Sequence, residues 1–300
     1  MKFGLVGTGP WAQLAHGPGL VQADGVQLVG VWGRRAEEAG RLADALDTTA
    51  YDNYAAMLDD VDAVAFAVPP GVQAEMARHA ASAGKHLLLD KPIATDVAAA
   101  QMLADTAKES GVASVVFFTD RFVDVSRAWF DHIQEVGGWL GGWLRWFSAL
   151  HEPGNPFGAS RWRQERGALW DIGPHALSSL SAALGPVESL VAVAGGGDLV
   201  TLTLVHLSGA TSTATLSQFA PPAAVSFEAA AWGREGLSTM PSRPDNAHVD
   251  ALRVAAEELV AAAYSGQPHE VDVAFGARIV ELLADAQRQI DAKRATDSAD

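Results

Sequence analysis

Three hundred residues, 49% of them apolar and 19% charged, make a chain long enough to bury two hydrophobic cores, and exclude both a disordered polymer and a small disulfide-stapled scaffold. The 36 acidic against 21 basic side chains leave a formal charge of −15, which opposes general binding to nucleic acid or to anionic membrane surfaces. Cysteine is absent, so disulfides, thiolate metal ligands and a cysteine nucleophile are excluded together.

In chain order, strands are predicted at residues 3–6, 27–32, 63–68, 86–89 and 113–118, with helical spacing of Ala, Leu, Met and Val at 36–46, 72–83 and 96–109 between them. Alternating strands and helices signal βαβ units on a parallel sheet. The run Val64-Ala65-Phe66-Ala67-Val68 is apolar throughout, as expected of a strand covered on both faces. Near residue 120 the pattern changes. A helix at 123–136 leads into period-two alternation, in which Val200, Leu202, Leu204 and His206 share one face of a strand at 198–207. Ser208-Gly209-Ala210 turns the chain into the alternation of 211–219, and Gly233-Arg234-Glu235-Gly236 closes a second hairpin after 225–232. Helices at 247–264 and 273–293 end the pattern, and the tail 295–300 is expected to fray. The fold class is therefore α/β, with a doubly wound parallel sheet at 1–119 and an α+β domain at 120–300 whose open sheet is mostly antiparallel.

Every apolar run is interrupted before the ~18 residues a membrane span requires. The opening strand breaks at once into glycines, too soon for a signal-peptide core, so a cytoplasmic location is expected.

Gly7-Thr8-Gly9-Pro10-Trp11-Ala12 follows a strand and opens a helix, the context that separates a dinucleotide-binding loop from an ordinary glycine-rich turn. Gly7 permits the tight turn, Gly9 lets backbone approach a pyrophosphate, and Ala12 allows close helix packing. Pro10 costs nothing in a first helical turn. The second strand ends in Gly33-Arg34-Arg35 where an acid for a ribose 2′-hydroxyl is expected. Two guanidinium groups suit a 2′-phosphate, so NADP(H) is favoured over NAD(H); the alternative is that both arginines are merely solvated. Val68-Pro69-Pro70 and Asp90-Lys91-Pro92 fall at the carboxyl ends of later strands, where open α/β sheets bind ligands. Lys91 there can exchange protons beside a cofactor, or it can sit in a surface turn.

In Asp171-Ile172-Gly173-Pro174-His175, a helix starting near Gly173 brings an acid and an imidazole to its N-terminal end. Proton transfer and a capping Asp beside a partly buried His are both open at this point. No metal is expected, since His151-Glu152 does not continue into a second histidine at helical spacing.

Taken together, the Gly7–Ala12 loop, Tyr51-Asp52-Asn53-Tyr54, Val68-Pro69-Pro70, Gly84-Lys85-His86, Asp90-Lys91-Pro92, Trp162-Arg163 and Asp171-Ile172-Gly173-Pro174-His175 resemble the Gfo/Idh/MocA oxidoreductases over nearly the whole chain. The resemblance implies a Rossmann domain that binds NAD(P) through Gly7, Thr8, Gly9, Pro10, Trp11, Ala12, Gly33, Arg34, Arg35, Val68, Pro69, Asp90 and Lys91. It further implies an α/β substrate domain whose open sheet joins subunits into a homodimer or homotetramer, and it implies that Lys91, Asp171 and His175 surround a reacting carbon over the nicotinamide. The chain departs from the family pattern at Asp90, where glutamate is usual, at Gln73, where histidine is common, and at Arg166-Gly167, which replaces a glycine pair.

Six of nine tryptophans lie between Trp129 and Trp170, and indole faces stack well on carbohydrate. Trp162 and Trp170 are expected to line a pocket, with Arg121 and Arg163 as further substrate contacts, whereas Trp139, Trp143 and Trp146 are assigned to packing. Arg161, Arg163 and Arg166 form a basic cluster that could clamp an anion. The expected activity is hydride transfer between NAD(P) and a secondary alcohol or ketone carbon of a sugar, cyclitol or related metabolite. Two alternatives stay open by the same resemblance: a non-catalytic ligand sensor and an NAD-assisted glycoside hydrolase.

Overall fold

The computed structural model describes residues 1–150 and 152–297. By internal contacts the chain forms two units, Met1–Val123 with Asp245–Val280, and Asp124–Pro244 with Glu281–Asp300.

In the first unit β1 (Lys2–Val6) runs into a π-helical turn (Ala12–His16) and α1 (Gly17–Gln22). There follow β2 (Gln27–Trp32), α2 (Ala36–Ala45), β3 (Thr49–Tyr51), α3 (Tyr54–Asp60), β4 (Ala63–Phe66), α4 (Pro70–Ser82), β5 (His86–Asp90), α5 (Val97–Glu109) and β6 (Ser114–Phe117). All six strands are parallel, in the order β3-β2-β1-β4-β5-β6, so the winding direction reverses between β1 and β4. Ligands of such sheets bind beyond the carboxyl ends of the strands at that reversal. The apolar centres explain the burial: every residue of β4 and Leu87, Leu88 and Leu89 of β5 are completely enclosed. Helix starts follow from local chemistry. Asn53 caps α3 by accepting from the Ala55 and Ala56 N–H groups, Asp96 caps α5 by accepting from Ala99, and Pro70 sits where α4 has no use for an N–H. β3 and α3, three and seven residues long, are additions to the predicted elements.

The second unit contains α6 (Asp124–Val136), β7 (Trp139–Phe147), α7 (Arg161–Asp171), α8 (Gly173–Leu184), β8 (Val187–Ala194), β9 (Val200–His206), β10 (Thr211–Ser217), β11 (Ser226–Gly233) and β12 (Gly236–Thr239). Its six-stranded sheet has the order β12-β11-β7-β10-β9-β8, with only β7 and β10 parallel. Val200, Leu202, Leu204 and His206 are all buried, as their shared parity predicts.

The last two helices are α9 (Ala247–Ser265) and α10 (Val273–Asp297). The sequence reading put everything after residue 119 into the second domain, but residues 245–280 belong with the first unit. The reason is packing: Leu252, Ala255, Ala256 and Leu259 of α9 are enclosed on the side that meets α1, β5 and β6. The frayed tail was placed at 295–300; α10 continues to Asp297, and residues 298–300 lie outside the described residues.

Candidate functional site

The loop after β1 has the geometry of a phosphate cradle. Gly7 has φ +125°, and a Cβ there would stand 2.4 Å from the carbonyl oxygen of Ala67, so only glycine fits. A Cβ on Gly9 would meet nothing within 4 Å, which leaves the backbone open to a ligand, while one on Gly33 would strike the methyl of Thr8 at 2.6 Å. Ala12 is fully buried, and Gln13 ties the loop by donating to the Thr8 carbonyl at 2.9 Å. Pro10 is exposed at the helix start, and Val68 packs near Gly7 with Pro69 exposed beyond it. The Trp11 ring lies 5.4 Å from that of His248 and 6.4 Å from that of Phe117, the last residue of β6 (centroid distances). These residues fit a dinucleotide, which they would hold by backbone N–H groups and by the surface beside Gly33.

Arg34 is exposed and makes no ion pair with another described residue. Arg35 donates to Glu38, and the same carboxylate oxygen accepts from the Thr8 hydroxyl at 3.2 Å. Arg35 beside Glu38 holds that carboxyl below its ordinary value, with help from Thr8 and despite some desolvation. Thus an acid does face the glycine loop. It lies on the first turn of α2 instead of at the end of β2, which is why counting from Gly7 missed it.

At the end of β5, Gln73 grips Asp90 through both halves of its amide, accepting from the Asp90 N–H at 2.8 Å and donating to the Asp90 carbonyl at 2.7 Å. The Asp90 carboxylate accepts from the Lys91 N–H at 2.8 Å, and the Lys91-Pro92 bond is cis. Lys91 is half-buried there. Gln73, noted in the sequence only as a departure, is fully buried and orients the turn that carries Lys91.

In the second unit Asp171 and His175 flank the junction of α7 and α8, and both are buried. Asp171 does not cap α8; its carboxylate accepts from Arg163 Nε at 3.0 Å and from the Gln218 amide. Gln218 is held in turn by Asp198, which accepts from its N–H at 2.8 Å. Arg163, expected to contact substrate, is thereby turned inward and neutralised by Asp171. The basic cluster does not form one clamp: Arg161 pairs with Glu165 at 2.7 Å, and Arg166 lies over Trp170. Trp170, expected to line a pocket, is 2% exposed and donates to Gln287 at 3.1 Å, so it is core. Trp162 is half-buried under the Arg163 guanidinium. Arg121, in the first unit, is bound to Glu270 at 2.6 Å. Conversely Trp146, assigned to packing, places its ring 5.4 Å from that of His175, and Arg243 stacks over Trp146 and Phe227. Gln218, Asp198, Phe227 and Arg243 carry no sequence signal: Phe227 comes opposite Trp146 through the pairing of β11 with β7, and the other three lie on loops next to strands. His151 lies outside the described residues.

Residues 1–118 match the family model described as an oxidoreductase family with an NAD-binding Rossmann fold. An uncharacterised oxidoreductase of Synechocystis is 31% identical over 202 residues, covering 64% of this chain and 53% of that protein. A D-xylose 1-dehydrogenase (NADP(+)) of Haloferax volcanii is 33% identical over 125 residues, 41% of this chain and 38% of its own length. The chain therefore spans about half, or less, of the curated relatives it matches. Among solved structures, levoglucosan dehydrogenase in complex with NADH and levoglucosan superimposes with a TM-score of 0.84 at 17% identity, covering 97% of each chain. That likeness establishes a common fold.

Proposed function

We propose that this protein, whose residues 1–118 match the model of the Gfo/Idh/MocA oxidoreductases, is a member of that family and an NAD(P)-dependent dehydrogenase or reductase acting on a secondary alcohol or ketone carbon of a sugar, cyclitol or related small metabolite. The observation that carries this reading is the cradle at Gly7 and Gly9 combined with a lysine held rigidly at the end of β5 by the Gln73 clamp on Asp90. When bound, the nicotinamide supplies or accepts the hydride. In this proposal His175 is the general acid/base, and Lys91 is a second group able to exchange a proton. Asp171, held by Arg163 and Gln218, is the orienting acid for His175 in this proposal. Sugar or polyol chemistry is supported by the related xylose and levoglucosan enzymes and by the indole of Trp146 beside His175.

NADP(H) is the favoured cofactor, supported by Gly33, Arg34 and Arg35 at the end of β2. Assembly as a homodimer or homotetramer through the second sheet is supported by its open face, where Val191, Val193, Val205, Trp232 and Leu237 stay exposed.

The test is Lys91→Ala. NADPH binding, followed by nicotinamide fluorescence, is expected to persist, while turnover on a panel of sugars and cyclitols falls by about two to four orders of magnitude. Unimpaired turnover in this variant would sink the assignment.

A further inference from the structure

Beside the glycine loop lies a cavity of about 610 Å³ whose lining includes Thr8, Gly9, Gln13, Arg35, Glu38 and Arg41. Its charges are not simply those of an anion site. The Arg35 guanidinium faces the Glu38 carboxylate, and Arg41 is paired with Glu37 at 2.5 Å. Glu38 also accepts from Thr8, so the loop itself fixes the acid at the cavity wall.

We propose that Glu38 is the residue that determines how sharply this site distinguishes a 2′-phosphate from a 2′-hydroxyl, an inference that rests on the dinucleotide reading above. A neutral ribose diol can donate to a carboxylate, so Glu38 favours the unphosphorylated nucleotide. A phosphate dianion is repelled by the same carboxylate and must compete with it for Arg35. The Arg35 and Glu38 side chains are 73% and 30% exposed, so their pairing is screened by water and opens at small cost. Glu38 accordingly tempers the preference for NADP(H) without abolishing it, and leaves the site able to take NAD(H). Arg34, with no acidic partner among the described residues, keeps the residual attraction for phosphate.

Glu38→Gln keeps the acceptor for Thr8 and removes the charge. Dissociation constants of NADPH and NADH, read by nicotinamide fluorescence at fixed ionic strength, are expected to shift so that the ratio moves toward NADPH by about tenfold. Glu38→Ala, a smaller side chain, is expected to move the ratio the same way, and guards against one substitution failing to fold. Arg35→Gln is expected to weaken NADPH while leaving NADH nearly unchanged. Wild-type protein that binds both nucleotides, with a ratio unaltered in both Glu38 variants, overturns the role of Glu38 alone. Wild-type protein that binds neither overturns the dinucleotide reading and this inference together.

Discussion

One turn beyond the glycine loop the imidazole of His16 is completely buried, with the rings of Phe117 and Trp11 5.8 and 6.3 Å away. Burial lowers its pKa from 6.5, with the Asp90 carboxylate partly opposing the shift. His86 and His206 are lowered for the same first reason, and His206 is held between the Gly185 carbonyl at 2.6 Å and the Ser212 hydroxyl at 2.7 Å. Below about pH 6.5 the unfolded chain binds protons at these rings that the folded chain refuses. Stability therefore rises with pH through this window and is lost as pH falls from about 6.5 toward the depressed folded values. The melting temperature is expected to be lower at about pH 5.5 than at about pH 7.5, with a shallower dependence in His16→Gln. An unchanged slope in that variant would remove His16 from the account. At this scale the sequence revealed residue types with chemistry but not their partners. Lys91 and His175 were singled out because motifs carry them, whereas nothing in the sequence signalled that Arg163 pairs with Asp171 or that Trp170, expected to line a pocket, is core.

Helices and strands were the most legible level, because each is encoded within a few residues of itself. β2 is observed at the predicted residues, and most other predicted elements differ only by a residue or two at their ends. Several elements escaped, among them α1, β7 and β8, which were given no bounds in the sequence. β3 and α3 are too short for a period to accumulate, and α7 is not one continuous helix. Gly167 inside it has φ +63° and ψ −165°, a backbone state open essentially to glycine, and this break lets Arg163 before it reach Asp171 after it. An added Cβ would make only an ordinary contact, with the Asp198 Cβ at 3.7 Å, so any cost of substitution is conformational. Gly167→Ala is expected to destabilise the protein by about 1–3 kcal/mol in urea unfolding. It should also lower turnover, since the helix can regularise only by moving Arg163. Wild-type stability in this variant would show that the break is not required.

For the molecule as a whole, no helix among the described residues is long and apolar enough to cross a membrane. The second sheet leaves one face without cover. Val191 and Val193 lie opposite Thr203 and Thr201, and Val205 opposite Thr211, so these side chains share that face with Trp232, which pairs with Leu237. Two carboxylates introduced by Val191→Asp and Val205→Asp would be desolvated in any subunit interface formed there. Sedimentation analysis is expected to show the double variant dissociating at concentrations about two orders of magnitude higher than the wild type, with the fold intact by circular dichroism. A wild-type monomer, or an unaffected assembly, would defeat the interface proposed for this face.

By itself the sequence determined the α/β class, the glycine loop, the placement of Lys91, Asp171 and His175 on element ends, and an acidic chain without thiol chemistry. Those features depend on local periodicity, steric need and composition, all of which are readable within one element. Only the tertiary structure decided which charges meet. Thr8 and Glu38 are 30 residues apart, and Asp171 and Gln218 are 47 apart. It also assigned residues 245–280 to the first unit. Such pairings are set by strand order, register and the burial of one helix face, and any of several arginines or carboxylates would have satisfied the linear pattern equally well.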